Sequence, residues 1–195
     1  LLSFAIIGDA EPKPLAEFPN MSAAVEQINV LAETKGLEFV AGIGDIPHKG
    51  TTVQYEAATE VLTKLKLPFY TIMGNEELGS TPERYLSYLA KWNEGKTDLI
   101  ETRYVLEYNS FALVFASPDY GRDFEDAGID WIIESMQALG EKPILLFVHS
   151  AQAGAYPENA DKGIKNSSFA KVLAQKNLTA IVSGDLHMDM ERVEH

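Results

Sequence analysis

Residues 39–45 read Phe-Val-Ala-Gly-Ile-Gly-Asp, an apolar run that stops abruptly at a glycine and a carboxylate. Phe39 to Ile43 carries no polar interruption, the pattern of a strand covered on both faces, and Gly44-Asp45 marks the turn past its end. The same punctuation recurs along the chain. Leu2 to Ile7 precedes Gly8-Asp9-Ala10-Glu11, and Phe69 to Met73 precedes Gly74-Asn75-Glu76-Glu77. Pro143 to Val148 ends at His149, and Ala180 to Ser183 ends in Gly184-Asp185-Leu186-His187. Each polar signature therefore falls just past a predicted strand.

The segments between these runs have helical spacing. Met21 to Thr34 places Met21, Val25, Ile28 and Leu31 at helical intervals before Gly36. Thr51 to Leu65 does so with Tyr55, Ala58, Val61 and Leu62, and Leu67-Pro68 closes it. Pro82 to Trp92, Ile129 to Leu139 and Phe169 to Gln175 read as further helices. Strand and helix in alternation predict an α/β fold of parallel strands joined by helical crossovers, with helices covering both sheet faces. Tyr104 to Tyr108 and Phe111 to Ser117, separated by Asn109-Ser110, predict a hairpin that makes the sheet mixed. Ala151 to Ser168 is the long loop and a candidate gate. No internal repeat is present, and residues 1–195 fit one domain, the usual domain being roughly 100 to 200 residues.

Composition narrows the chemistry. The absence of cysteine excludes thiol nucleophiles, thiolate metal sites and disulfides. Sixteen Lys and Arg against 29 Asp and Glu leave a formal charge of -13, which repels a nucleic-acid backbone and argues against a basic binding patch. No apolar run approaches the roughly 20 residues of a membrane span. The expectation is a soluble protein, cytoplasmic or exported after removal of an N-terminal segment, because the first residue is Leu1 rather than Met. The terminal Val193-Glu194-His195 reads equally as native chain or as the start of a tag, so His195 is no ligand candidate. No glycine-rich stretch ends in Gly-Lys-Ser/Thr, and no serine sits in a nucleophile elbow.

In open α/β sheets ligands bind where loops converge at the C-terminal strand ends. That edge would gather Asp9, Glu11, Asp45, Asn75, Glu76, Glu77, His149, Asp185 and His187. Carboxylate, amide and imidazole donors suit divalent cations, and a carboxylate such as Asp45 has two oxygens with which to bridge a pair. Two cations about 3.5 to 4 Å apart clamp a phosphoryl group during in-line displacement, so phosphoester hydrolysis is the expected chemistry. Taken singly, Gly-Asp after a strand is often a plain turn, and Glu77 is as readily a solvated helix start. His48, just past Asp45, is a candidate substrate contact by placement alone.

The ordered set of signatures resembles the calcineurin-like metallophosphoesterase family, whose pattern of Asp-x-His, Gly-Asp, Gly-Asn-His-Asp/Glu, His and Gly-His-x-His runs in the same order over nearly the whole chain. The resemblance implies a four-layer αββα sandwich with mixed sheets. It implies one cation held by Asp9, Glu11, Asp45 and His187 and a second by Asp45, Asn75, His149 and Asp185. Asn75 would face substrate, and Glu76 would stand where the family has its catalytic histidine, with Asp45 completing the catalytic pair. The expected reaction is hydrolysis of a phosphomonoester or phosphodiester through metal-bound hydroxide. Manganese or magnesium is favoured over zinc, with iron as a further candidate.

Three family histidines are acidic here, at Glu11, Glu76 and Asp185. Asp9, Glu11, Asp45 and Asp185 would neutralise two divalent ions completely, weakening the electrophile. Proton uptake by Glu76, crowded by other carboxylates, would let it act as general acid. The opposing reading is a catalytically degenerate scaffold that binds protein partners. Few residues follow His187, whereas the family pattern continues into further strands, so the chain looks C-terminally truncated and an exposed sheet edge is expected.

Overall fold

The computed structural model describes residues 2–187, so Leu1 and residues 188–195, His195 among them, lie outside the description. The first half builds β1 (Phe4–Ile7), α1 (Pro19–Lys35), β2 (Phe39–Gly42), α2 (Thr52–Leu62), β3 (Phe69–Thr71) and α3 (Pro82–Trp92). The second half builds β4 (Arg103–Glu107), β5 (Ala112–Ala116), α4 (Asp126–Ala138), β6 (Ile144–Phe147), the single-turn α5 (Ala170–Leu173) and β7 (Leu178–Val182).

The strands divide between two sheets. The first runs β1-β2-β3, all parallel, with Ile7 opposite Gly42 and Gly42 opposite Thr71. The second runs β4-β5-β6-β7, in which the β4-β5 hairpin supplies the antiparallel pair and the remaining pairs are parallel. Mixing is thus confined to the second sheet.

Side-chain alternation explains why each sheet carries helices on one face only. On the first sheet Ala5, Ile7, Val40 and Phe69 turn toward α1, α2 and α3, packing with Val25, Tyr55, Leu62 and Trp92. On the second, Ala112, Val114, Ile144 and Leu146 turn toward α4 and α5, meeting Ile129, Ile132 and Val172. The opposite faces meet each other through Phe4, Phe39, Leu113, Phe115 and Phe147. Phe115 and Phe147 stack at 4.4 Å, and Phe4 meets Phe147 edge-on at 6.2 Å, which closes the inter-sheet layer. The layers are therefore αββα, and helices do not cover both faces of either sheet.

One further expectation changes. Leu2 to Ile7 reads as a fully covered strand, but β1 is an edge and Ile6 is 46% exposed. β3, the other edge of that sheet, is capped by the buried Asn93: its amide oxygen accepts from Phe69 N at 2.8 Å and its Nδ2 donates to Phe69 O at 2.9 Å. Residues 151–168, the candidate gate, are tied internally, with Ile164 N donating to Ala151 O and Asn159 Nδ2 to Gln152 O. Among the described residues no helix is long and apolar enough to cross a membrane.

Candidate metal centre

Parallel strands of both sheets end at the same edge, and backbone bonds tie their loops together. Asp9 N donates to Gly44 O at 3.0 Å, Glu11 N to Asp45 O at 3.1 Å, and Gly184 N to His149 O at 2.8 Å. Asp9, Asp45, Asp185 and His187 all adopt left-handed backbone conformations, with φ between 50 and 71°. Such strain gathered at one edge marks a functional site. Close backbone approach makes the convergence possible: a Cβ on Gly74 would fall 2.2 Å from Asp45 Oδ1 and 2.8 Å from His149 Cε1.

Asp9, Asp45 and His149 each aim one donor atom into a common space, all within 4.8 Å of one another. His149 Nδ1 lies 2.9 Å from Ile43 O and donates to it, which turns Nε2 inward. Nε2 then lies 3.2 Å from Asp45 Oδ2, 3.1 Å from Asn75 Oδ1 and 3.8 Å from Asp185 Oδ1. Burial resists charging of His149, but Asp45, the Ile43 carbonyl and Asp185 outweigh it and raise its pKa to about 9. Asp45 Oδ2, Asn75 Oδ1 and Asp185 Oδ1, gathered around Nε2, are also donors of the kind a divalent cation takes. Asp9 has its carboxyl pKa raised, first by burial, while both its oxygens accept from Asp185 N at 3.0 and 3.1 Å.

Glu77 is no solvated helix start. It is fully buried, and its carboxylate accepts from Asp45 N, Ile46 N and Gly74 N at 2.9, 2.9 and 2.8 Å. Burial, then the neighbouring Asp45 charge, pushes its pKa up to about 7 against the bonds from Ile46 N and Gly74 N. Glu77 thereby sets the backbone path of the loop that presents Asp45.

A second group lies beside the first. Glu11, His48 and Glu76 bring donor atoms within 4.8 Å of one another. His48 Nδ1 is 2.7 Å from Glu76 Oε2 and 3.4 Å from Glu11 Oε2, and Lys13 Nζ is 2.7 Å from the latter. His187, half-exposed, places Nε2 3.3 Å from Glu11 Oε1 and 3.9 Å from Asp9 Oδ1. The Glu76 carboxylate takes Lys49 N at 2.6 Å and Asn75 Nδ2 at 3.2 Å and faces His48.

Asp185 reaches the edge, but with a partner that the sequence did not signal. Arg122 Nε donates to both its oxygens at 2.7 and 2.8 Å, and Ser150 Oγ donates at 2.8 Å. Arg122 lies in the turn after β5, where no periodicity or motif singles it out. It returns a positive charge to a cluster whose carboxylates would otherwise all count against the cations. Asp185 is 3% exposed and Arg122 33%, so replacing Arg122 by Met strands a buried carboxylate with one hydroxyl partner. The expected loss is about 1–3 kcal/mol, below that of a fully enclosed pair, read from urea unfolding.

The donor chemistry fits a divalent cation: carboxylate oxygens and a backed imidazole converge, and among the described residues no lysine or arginine forms an ion pair with Asp9 or Asp45. An αββα frame with this set at its strand ends defines a metallophosphoesterase-like protein. The sequence pattern of the calcineurin-like phosphoesterases matches residues 2–189, and the chain belongs to that family. No curated protein matches it by sequence. Its structure is similar to a dimetal phosphatase from Danio rerio, with TM-score 0.70 and 14% identity over 95% of this chain and 82% of that one. It is also similar to a purple acid phosphatase from yellow lupin (Lupinus luteus) seeds, with TM-score 0.64 and 11% identity over 94% of this chain and 37% of that one. A Thermus thermophilus protein follows with TM-score 0.55 and 14% identity over 92% of this chain and 80% of that one. Identities this low speak to the fold alone.

Proposed function

We propose that the chain is a metal-dependent phosphoesterase, acting on a small phosphomonoester or phosphodiester. The observation that carries this reading is the convergence of Asp9, Asp45 and His149 at the joined ends of two sheets. A divalent cation bound there would supply an electrophile for the phosphoryl oxygens and acidify water. The chain's own residues orient that chemistry. Asp45 keeps Oδ1 on Glu76 N at 2.8 Å and turns Oδ2 inward, where it would hold a cation. His149 is held by Ile43 as a neutral donor once a cation replaces its proton. Asn75 presents Oδ1 to the same space, with Asp185 beside it and His187 on the rim. The carboxylate-rich set favours manganese or magnesium.

A cavity of about 670 Å³ opens beside Asp9, walled by Pro12, Pro14, Leu15 and Ile46 with Lys13 at its edge. It offers an apolar seat for the organic group of the ester and an ammonium for its phosphate. Glu76 Oε2 accepts from Lys49 N and stands 2.7 Å from His48 Nδ1, an arrangement that suits an acceptor better than a proton donor.

Metal-stripped protein should leave chromogenic phosphomonoesters and phosphodiesters intact, and Mn²⁺ or Mg²⁺ should restore turnover, with Zn²⁺ less effective. Absence of turnover with all three cations despite measured binding would overturn the reading in favour of a protein-binding scaffold.

A further inference from the structure

We propose that Glu11, His48 and Glu76 form a second divalent-cation site, displaced from the family's paired positions toward the loop after β2. The proposal rests on the phosphoesterase reading only for what the ion would act on.

Geometry carries it. Ligands about 2.1 Å from one ion lie about 3 to 4 Å apart. Glu11 Oε2 and His48 Nδ1, 3.4 Å apart, meet this spacing, and the three donor atoms all fall within 4.8 Å; the 2.7 Å contact between His48 Nδ1 and Glu76 Oε2 would have to open by a few tenths of an ångström. Glu11 is nine-tenths buried, at 9% side-chain exposure, and its Oε2 is met only by cationic or imidazole groups, the Lys13 ammonium at 2.7 Å and His48 Nδ1 at 3.4 Å. His48 Nδ1 is enclosed and makes no hydrogen bond, although it stands 2.7 Å from Glu76, because the ring N–H direction misses that oxygen. Enclosed atoms at ion-pair distance without hydrogen-bond alignment suit a small cation among them, since metal–ligand attraction does not need a proton on the line.

Charge supports the same placement. Arg122 takes up the Asp185 charge, leaving Asp9 and Asp45 with His149 for one ion. Glu11 and Glu76 with a neutral His48 then make an equivalent set of two carboxylates and one imidazole for another. The acidic residues at 11 and 76 are thereby explained together: each is a ligand of the displaced ion, and His48 supplies the imidazole between them. The competing cation is the Lys13 ammonium, 2.7 Å from Glu11 Oε2. Lys13 is half-exposed on a flexible stem, so an arriving ion can displace it.

The test counts Mn²⁺ bound to the metal-free full chain by calorimetry and by electron paramagnetic resonance of the free ion. Two ions per chain are expected. His48→Ala and the near-isosteric Glu76→Gln should each remove one, weakening that site at least about tenfold, while His149→Ala removes the other. Thermal unfolding of each variant separates loss of a ligand from loss of the fold. One ion, lost in His149→Ala and kept in His48→Ala, would overturn the second site, show Lys13 to be its permanent occupant, and leave the phosphoesterase reading standing. Two ions unaffected by His48→Ala would also overturn it. No ion in the wild-type chain would overturn both.

Discussion

Asp45→Asn is expected to lower metal-dependent phosphoester hydrolysis by on the order of 10³ while leaving the fold in place. The substitution isolates charge from shape. Asp45 sits at φ 53°, a conformation asparagine tolerates as well as aspartate, so the backbone has no new strain. Its Oδ1 accepts from Glu76 N, and an amide oxygen accepts equally well. Only the inward atom changes, 3.2 Å from His149 Nε2, where a carboxylate oxygen becomes an amide nitrogen with no lone pair for a metal. Binding of Mn²⁺ should fall with turnover, and the circular dichroism spectrum should match the wild type. Hydrolysis within about tenfold of the wild type would remove Asp45 from the centre.

The fold was legible because hydrophobic periodicity and strand-end punctuation agree. Phe39 to Ile43, flanked by helical repeats, has few alternatives to a parallel strand in an α/β unit. What periodicity does not encode is the partner of each strand face. Phe39 and Val40 are both buried, one against the second sheet and the other against helices, and both are simply apolar in sequence. Two facing sheets therefore entered only through the family resemblance. The polar edge was legible for a similar reason, since a polar residue just past a strand must lie at the sheet's end. Side-chain direction was not: Glu76 turns to His48, whereas its neighbour Glu77 turns inward, and adjacent identical residues carry no signal of which does which. Arg122 was invisible because its partner Asp185 is 63 residues away along the chain.

Glu77 carries the largest stability effect expected for a residue outside the apolar core. Glu77→Ala should cost about 3–5 kcal/mol and weaken Mn²⁺ binding together with stability. Each of the donors on its carboxylate, Asp45 N, Ile46 N and Gly74 N, would be left buried without a partner, at about 1–3 kcal/mol apiece before relaxation. Water entering the space would recover part of this, which is why the total stays below the sum. Glu77→Gln gives the sharper comparison. With its carbonyl in place of Oε2 it keeps the bonds from Asp45 N and Gly74 N and opposes an amide group to Ile46 N alone. Its cost should therefore be about 1–3 kcal/mol, with the Asp45 loop still presented to the cation. Urea unfolding of the two variants against Mn²⁺ affinity checks the argument. An alanine variant as stable as the wild type would mean that the loop finds its path without Glu77. An unstable glutamine variant equal to alanine would mean that the charge, rather than the number of acceptors, holds the three amides.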